Sequence, residues 1–263
     1  MSVNILQQKG TKIKMKLSVC VDAIYMGKPL EEAIRKVKAA GLNTIEFWSW
    51  EEKDLDLLES CVKEGVEIAA FCTGFVSLVE AAKREEYVKA LQKTIGTAKR
   101  LGCKRIISQT GAELSIDRKE QHESLVEGLK ACVPYLEESG ITLVVEPLNV
   151  RVDHAGYYLY SSDEAAGIMR EVGSPYVKML FDIYHQQITE GDLIRRIREY
   201  IPYIGHFHAA GNPGRHELYD GEIDYRKVFA AIGETGYDGY IGLEYFPEDE
   251  VEKGLAFAKQ IMT

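Results

Sequence analysis

Short apolar stretches alternate with longer helical patterns along the whole chain. Eight stretches rich in Val, Ile, Leu and Phe predict strands, and the segments between them carry apolar residues at helical spacing. Apolar strands that alternate with helices indicate a parallel sheet covered by helices. The predicted strands cover residues 17–23, 43–48, 67–72, 104–110, 142–147, 177–182, 204–210 and 240–245.

The predicted helices have the expected start and stop signals. In the segment 30–41, Pro29 stands just before the helix and Gly41 ends it. The segments 87–102 and 224–236 also end on glycine. Successive strands begin roughly 30 residues apart, which is typical of a βα unit. The pattern therefore predicts an α/β fold.

Eight βα units fit a closed (β/α)8 TIM barrel. The alternative is an open doubly wound sheet, but no GxGxxG motif follows the first strand. No linker rich in proline or serine divides the chain. We therefore expect a polar N-terminal tail over residues 1–14 and a single catalytic barrel domain over residues 15–263.

Four polar side chains stand at the carboxyl ends of the last four predicted strands. In a TIM barrel, functional residues gather at the carboxyl ends of the strands. Side chains alternate with a period of two, so each candidate shares a face with the residue two positions before it. Pro147 lacks an N–H and ends the fifth strand just after the first candidate. The candidates are Glu146, Asp182, His208 and Glu244.

Three carboxylates at one barrel mouth would repel one another and shift their pKa values. A divalent cation removes this cost, and oxygen-rich ligation with one nitrogen suits Mn²⁺ or Mg²⁺. Taken singly, an acidic residue at a strand end is more often a helix cap or an ion-pair partner, and a lone histidine is more often a core residue. Their recurrence on consecutive strands favours a metal site built from all four.

Composition restricts the partners of the protein. The chain has 32 basic and 41 acidic residues and a net charge of −9, which disfavours nucleic acid and anionic membranes. No apolar stretch predicts a membrane span or a secretory signal. The five dispersed cysteines favour free buried thiols and a cytoplasmic location. Association into a homo-oligomer stays open.

Two further residues are candidates for substrate binding. His185 lies three residues after Asp182, and we expect it in a loop above the barrel mouth, where it contacts substrate or makes a loop hydrogen bond. Arg215 lies in the loop GNPGRHE, where a guanidinium would hold a hydroxyl, carboxylate or phosphate group. A surface salt bridge is the alternative for Arg215.

Other polar and aromatic residues near strand ends receive structural interpretations. Glu46 and His206 face inward and are predicted to support the site from below. Trp48 and Trp50 are candidates for a pocket wall, with ordinary packing as the alternative. Cys72 and Cys103 are expected in the core.

Several segments, taken in order, resemble the hydroxypyruvate isomerase family. The resemblance runs from about Met15 to the end of the chain and is most specific over residues 181–217. The larger group of sugar-isomerase and epimerase TIM barrels also holds ketose 3-epimerases and endonuclease IV. The segments are EPLN (146–149), FDIYHQQITEGDL (181–193), IGHFHAAGNPGRHE (204–217), GEIDY (221–225) and GYDGYIGLEY (236–245).

The resemblance implies roles for these residues. The four strand-end residues match the family's metal ligands, Glu146 and Glu244 match its acid/base glutamates, and His185 and Arg215 match substrate contacts. Many family members carry Gln at the position of His208, whereas ketose epimerases carry His, which leaves substrate and metal preference open.

The implied reaction is aldose–ketose isomerisation of a hydroxypyruvate-like substrate through an enediolate, without an organic cofactor. A ketose 3-epimerase or a 2-oxo-tetronate isomerase would use the same residues. More distant alternatives are a sugar-binding protein without catalysis and an AP endonuclease, which would need a three-metal cluster with extra histidines. The ends of strands three and four offer no histidine for such a cluster.

Overall fold

Eight parallel strands close into a barrel in chain order. The structure is a computed structural model that describes residues 15–262, so the predicted tail over residues 1–14 lies outside the described residues. β1 pairs with both β2 and β8, which closes the sheet and confirms the predicted (β/α)8 barrel. The strands are β1 Lys16–Cys20, β2 Thr44–Ser49, β3 Glu67–Cys72, β4 Arg105–Ser108, β5 Thr142–Val145, β6 Val177–Asp182, β7 Ile204–Ala209 and β8 Tyr240–Leu243.

Helices connect the strands and cover the outside of the barrel. Pro29 stands at the N-cap of the second helix and Gly41 follows its end, as predicted. The helices are α1 Val21–Ile24, α2 Leu30–Ala39, α3 Leu55–Lys63, α4 Arg84–Arg100, α5 Arg118–Ser139, α6 Ser162–Val172, α7 Ile183–Thr189, α8 Leu193–Tyr200, α9 Tyr225–Glu234 and α10 Val251–Ile261, with short 3-10 helices at Ala81–Lys83 and Ile201–Tyr203.

Several strands end earlier than the sequence predicts. The first leaves the sheet after Cys20, because residues 21–24 turn into α1. β5 and β8 each end one residue before a glutamate, yet the backbone continues along the sheet. Glu146 N–H donates to the Ser108 carbonyl at 3.0 Å, and Glu244 N–H donates to the Ala209 carbonyl at 3.2 Å. Both glutamates therefore keep the inward direction set by their strands.

The barrel interior contains a small apolar layer just below the carboxyl ends of the strands. It is separate from the larger core between sheet and helices. Val144 and Leu180 belong to this layer, and each lies two residues before an acidic strand-end residue. The period of two along the strands thus directs Glu146 and Asp182 to the inside. The layer consists of Ala70, Ile107, Val144 and Leu180, with Cys72 against it.

Two features of the described part of the chain bear on membranes and on the cysteines. No helix between residues 15 and 262 combines the length and apolarity needed to cross a membrane. All five cysteines are free, as predicted. Cys20, Cys103 and Cys132 are buried, whereas Cys61 and Cys72 are partly exposed. The expectation that all five are buried is therefore wrong for these two.

Candidate active site

Four side chains from consecutive strands meet at the carboxyl end of the barrel. Each offers one ligand atom, and these atoms all lie within 4.8 Å of one another. All four side chains are buried. The structure therefore brings the predicted residues together, while their role as metal ligands stays a prediction. We call Glu146, Asp182, His208 and Glu244 the acidic cluster.

The imidazole of His208 lies at the centre of the acidic cluster. Its Nδ1 atom is 3.1 Å from Glu244 Oε2, 3.6 Å from Glu146 Oε1 and 4.0 Å from Asp182 Oδ2. One nitrogen thus faces an oxygen from each of the three carboxylates. This is the geometry expected of four groups that converge on a single point.

The cluster distributes its charge unevenly. Burial raises the pKa of Glu146 to about 7, and the nearby Glu244 and Asp182 carboxylates add to the effect over the opposing pull of His208. Burial would also raise the pKa of Glu244, but Arg215 and His208 outweigh it and the pKa is lowered. Burial would lower the pKa of His208, but Glu244 and Glu46 outweigh it and the pKa is raised well above its usual value. The positive charges of Arg215 and His208 therefore stabilise the ionised form of Glu244 in the cluster.

The acidic cluster fits a hard divalent cation. Within residues 15–262, buried Glu146 Oε1 and His208 Nδ1 have no hydrogen-bond partner. Buried polar atoms are normally paired, so these two point to a further binding partner. Three carboxylates with one imidazole nitrogen form a donor set suited to Mn²⁺ or Mg²⁺.

Asp182 belongs to the acidic cluster and also caps a helix. Its Oδ1 accepts hydrogen bonds from the backbone N–H groups of Tyr184 at 2.8 Å and His185 at 3.1 Å. These bonds satisfy two free donors at the start of α7. Its Oδ2 faces the cluster instead. Asp182 therefore caps α7 with one oxygen and places the other in the acidic cluster.

His185 lies in a helix, so its predicted place in a loop is wrong. The Asp182 cap starts α7 directly after β6, and His185 falls in its first turn. The ring is buried and reaches the cavity. Its Nδ1 lies 2.7 Å from Asn149 Nδ2, and its Nε2 lies 3.7 Å from Asp182 Oδ2. Burial lowers the pKa of His185 to about 4, so the imidazole is neutral at pH 7.

Arg215 folds over the acidic cluster from the loop after β7. Its Nη2 lies 2.5 Å from Glu244 Oε2 and 3.7 Å from Asp182 Oδ2. Its carbonyl accepts from Phe246 N–H at 2.8 Å, and its φ of 61° lies in the left-handed region. The side chain is 14% exposed, so the surface salt-bridge alternative does not apply.

A cavity of about 550 Å³ opens above the acidic cluster. Trp48 contributes to its wall and donates from Nε1 to Glu244 Oε1 at 2.5 Å. Trp50 instead donates to Thr94 at 3.1 Å and does not line the cavity. Cys72 packs against the inner apolar layer, and it also lines the cavity, which was not predicted. Cys103 is buried as predicted.

Several cavity residues escaped the prediction from sequence. Phe246 lies two positions after Glu244 and could have been found from the strand period. The others stand on loops whose positions the sequence pattern does not define. The polar and aromatic residues among those missed are Phe75, Gln109, His154, Tyr157 and Phe246.

A second set of polar residues lies beneath the acidic cluster. Glu46 Oε2 accepts from Ser18 Oγ at 2.9 Å and from His206 Nε2 at 3.0 Å. Its Oε1 lies 3.1 Å from His208 Nε2. Burial would raise the pKa of Glu46, but the two histidines outweigh it and lower the pKa to about 2. The predicted inward direction of Glu46 and His206 is confirmed.

Comparison with known proteins defines the family. The sequence model of the xylose isomerase-like TIM barrels matches residues 34–261, so the chain belongs to this family. Within it the chain groups with the hydroxypyruvate isomerases and is an isomerase. The hydroxypyruvate isomerase of Escherichia coli is 34% identical over 174 residues, which cover 66% of this chain and 67% of the relative. A 2-oxo-tetronate isomerase of Cupriavidus necator is 38% identical over 143 residues, which cover 54% of this chain and 55% of the relative.

A solved structure supports the same fold. The crystal structure described as AP endonuclease, family 2, from Brucella melitensis superimposes with a TM-score of 0.89. It is 27% identical and covers 94% of this chain and 98% of its own. The arrangement of strands around the acidic cluster is therefore shared with a protein whose name indicates another reaction.

Proposed function

We propose that the protein is a metal-dependent isomerase that interconverts a small aldose/ketose-type hydroxy-carbonyl pair, such as hydroxypyruvate and tartronate semialdehyde. The observation that carries this proposal is the pair Glu146 and Glu244. These two carboxylates flank His208 on the floor of a cavity large enough for a small sugar acid. The name of the Escherichia coli relative supports the choice of substrate.

The proposed reaction moves a proton between neighbouring carbons. One glutamate removes the proton from the carbon that bears the hydroxyl group, which leaves an enediolate. The other returns a proton to the former carbonyl carbon, and a further proton passes between the two oxygens. Positioned acid–base catalysis of this kind contributes about 10²–10⁴-fold. We assign these roles to Glu146 and Glu244.

The acidic cluster would hold the cation beside the reacting carbons. The proposed ligands are Glu146, Asp182, His208 and Glu244. When bound, Mn²⁺ or Mg²⁺ would supply the positive charge that favours an enediolate in a buried site. Among the residues of the chain, Trp48 holds the Glu244 carboxylate in place by donating to its Oε1.

Arg215 and His185 would orient the substrate. Arg215 is a permanent cation at the cavity wall, and its planar guanidinium suits the carboxylate of a sugar acid. His185 is neutral at pH 7 and reaches the same cavity with a ring nitrogen. A cation is an implausible metal ligand, so we place Arg215 on the substrate.

The size of the cavity favours a second candidate reaction. Its volume of about 550 Å³ falls in the range of roughly 300–1,000 Å³ that holds drug-sized ligands. A chain longer than three carbons therefore has room. A 2-oxo-tetronate isomerase or a ketose 3-epimerase would use the same glutamates, and the name of the Cupriavidus necator relative supports the former.

The described residues give little support to a nuclease. Cys72 and Gln109 stand where β3 and β4 would have to add histidines for a three-metal cluster. The net charge of −9 also repels a phosphate backbone. We therefore propose a small-molecule substrate and no nucleic-acid partner. The free cysteines support a reducing, cytoplasmic location.

Hydrogen exchange tests the proposed reaction directly. Protein loaded with Mn²⁺ is incubated in D₂O with hydroxypyruvate, tartronate semialdehyde, 2-oxo-tetronates and free ketoses. We expect deuterium to enter one or more of these compounds at carbon and isomerised product to form. Fully loaded protein that exchanges no hydrogen in the whole panel would refute the isomerase and epimerase reactions together.

Single glutamate variants then separate the acid from the base. Metal content is confirmed for each variant first. We expect one of the variants Glu146→Gln and Glu244→Gln to incorporate deuterium into the substrate without forming product. The other variant should show neither exchange nor product. The two losses are expected to be non-additive in the double variant. Glu190→Gln is the matched control, because Glu190 binds Ser161 and Ser162 and does not line the cavity.

A further inference from the structure

A buried carboxylate lies directly beneath the acidic cluster, inside the barrel. Glu46 on β2 is 1% exposed and contacts two histidines of β7 and a serine of β1. An isolated buried carboxylate costs several kcal/mol, so it is retained where its partners satisfy it. We call Ser18, Glu46 and His206 the lower polar layer.

Each oxygen of Glu46 has its own partners. Oε2 accepts from Ser18 Oγ at 2.9 Å and from His206 Nε2 at 3.0 Å, which anchors the carboxylate to two other strands. Oε1 is left for His208, whose Nε2 lies 3.1 Å away. The two atoms are in close contact, although neither has the angles of a hydrogen bond. A carboxylate oxygen only accepts hydrogen bonds, so this contact favours hydrogen on Nε2 of the imidazole.

The ring of His208 therefore joins two layers of the barrel. Its Nε2 faces Glu46 below, while its Nδ1 faces the three carboxylates of the acidic cluster above. An imidazole that has given up one proton to bind a cation carries hydrogen on one nitrogen and a lone pair on the other. With the hydrogen held toward Glu46, the lone pair points into the cluster.

A glycine on β8 makes room for this contact. A Cβ atom at Gly242 would lie 2.0 Å from Glu46 Oε1 and 2.7 Å from His208 Cδ2. Both distances are far below ordinary van der Waals contact. The absence of a side chain at Gly242 is thus an independent sign that the Glu46–His208 contact needs space within the barrel.

We propose that Glu46 is a positioning residue that fixes the orientation and tautomer of His208, so that Nδ1 and not Nε2 is offered to the cation. Hydrogen bonds from Ser18 and His206 hold Glu46 in place. The absence of a side chain at Gly242 leaves space for the contact between Glu46 and His208. This inference rests on the proposed cation site but not on the substrate or the reaction. Partners of this kind behind a metal-bound histidine typically change metal affinity by about 10–100-fold.

Cation binding and histidine NMR test the proposal without turnover. Mn²⁺ affinity is measured by titration calorimetry on wild-type protein and on the Glu46→Gln and Gly242→Ala variants, after thermal unfolding confirms that each is folded. We expect both variants to bind Mn²⁺ about 10–100-fold more weakly. Glu190→Gln is the matched control, because it makes the same change at a carboxylate that contacts Ser161 and Ser162 and neither layer of the barrel, so its affinity should stay close to wild type.

The tautomer is observed in wild-type protein labelled with ¹⁵N-histidine and loaded with Mg²⁺. We expect hydrogen on Nε2 of His208, assigned by comparison with His208→Asn. Hydrogen on Nδ1, wild-type affinity in folded Glu46→Gln, or two Mn²⁺ ions per chain would each overturn the proposal. Protein that passes these tests but isomerises no sugar would refute the proposed reaction and leave this inference standing.

Discussion

The two carboxylate oxygens of Asp182 have different contacts, which makes this residue a sharp test of the cation site. Oδ1 caps α7, whereas Oδ2 faces the acidic cluster. Asp182→Asn retains an oxygen for the cap and removes the charge on the cluster side. We expect the free energy of unfolding of ion-free protein to change little. Mn²⁺ affinity should fall by at least the roughly 10–100-fold seen for changes behind a ligand.

Calorimetric titration and denaturant unfolding of the Asp182→Asn variant measure the two effects. Unchanged Mn²⁺ affinity in a folded variant would remove Asp182 from the set of ligands. A large loss of stability with normal affinity would mean that the cap is its main task.

Arg215 should behave in the opposite way. Its guanidinium contacts Glu244 and lies near Asp182, so it competes with a cation for the same carboxylates. We expect Arg215→Ala to lower kcat/KM by about 10–100-fold, the usual effect of a lost hydrogen bond to a charged group. Mn²⁺ affinity should stay the same or rise. Steady-state kinetics measures kcat/KM, and titration calorimetry measures Mn²⁺ affinity. A loss of Mn²⁺ affinity would show that Arg215 has another role.

The loop between β7 and α9 holds Arg215 by close backbone contacts. Gly221 has a φ of +105°, and a Cβ there would lie 2.2 Å from the Asn212 carbonyl. We expect Gly221→Ala to displace this loop and to lower kcat/KM by up to about 10²-fold, since a shift of about 1 Å can cost that much. Mn²⁺ affinity should stay the same or rise, because the four cluster residues lie at strand ends and only Arg215 moves.

Gly236→Ala is the matched control for this prediction. Gly236 also has a positive φ, +81°, but a Cβ there meets nothing within 4 Å. Both variants place alanine in the left-handed region, which costs roughly 1–2 kcal/mol. Equal kinetic losses in the two variants would attribute the effect to general strain and not to the position of Arg215.

Ion binding should stabilise the complete barrel, because the acidic cluster joins four strands that come together only on folding. A ligand at 100 times its Kd stabilises the native state by about 2.7 kcal/mol. For a chain of this size each kcal/mol raises Tm by roughly 2–4 °C, so Mn²⁺ should raise Tm by about 5–10 °C over chelator-treated protein. Thermal unfolding with and without Mn²⁺ measures this rise in Tm. If Mn²⁺ raises the Tm of the Asp182→Asn variant by the same amount, the ion binds elsewhere.

The sequence by itself determined the barrel and the composition of the acidic cluster. The reason is geometric. Parallel strands in chain order bring their carboxyl ends to one rim, and the period of two sets the direction of each side chain. Glu146 and Asp182 could therefore be placed from the pattern of Val144 and Leu180 alone.

Only the tertiary structure decided the contacts that loops and barrel closure create. The sequence pattern predicted a loop at His185. In the structure Asp182 caps α7 directly after β6, so His185 lies in a helix. This cap depends on the turn after β6, which the sequence pattern does not define. It gave no sign that Arg215 pairs with Glu244 or that Glu46 contacts His208 across the barrel. Such contacts join residues far apart in the chain, and their distances depend on strand register and loop conformation, which local hydrophobic patterns do not specify.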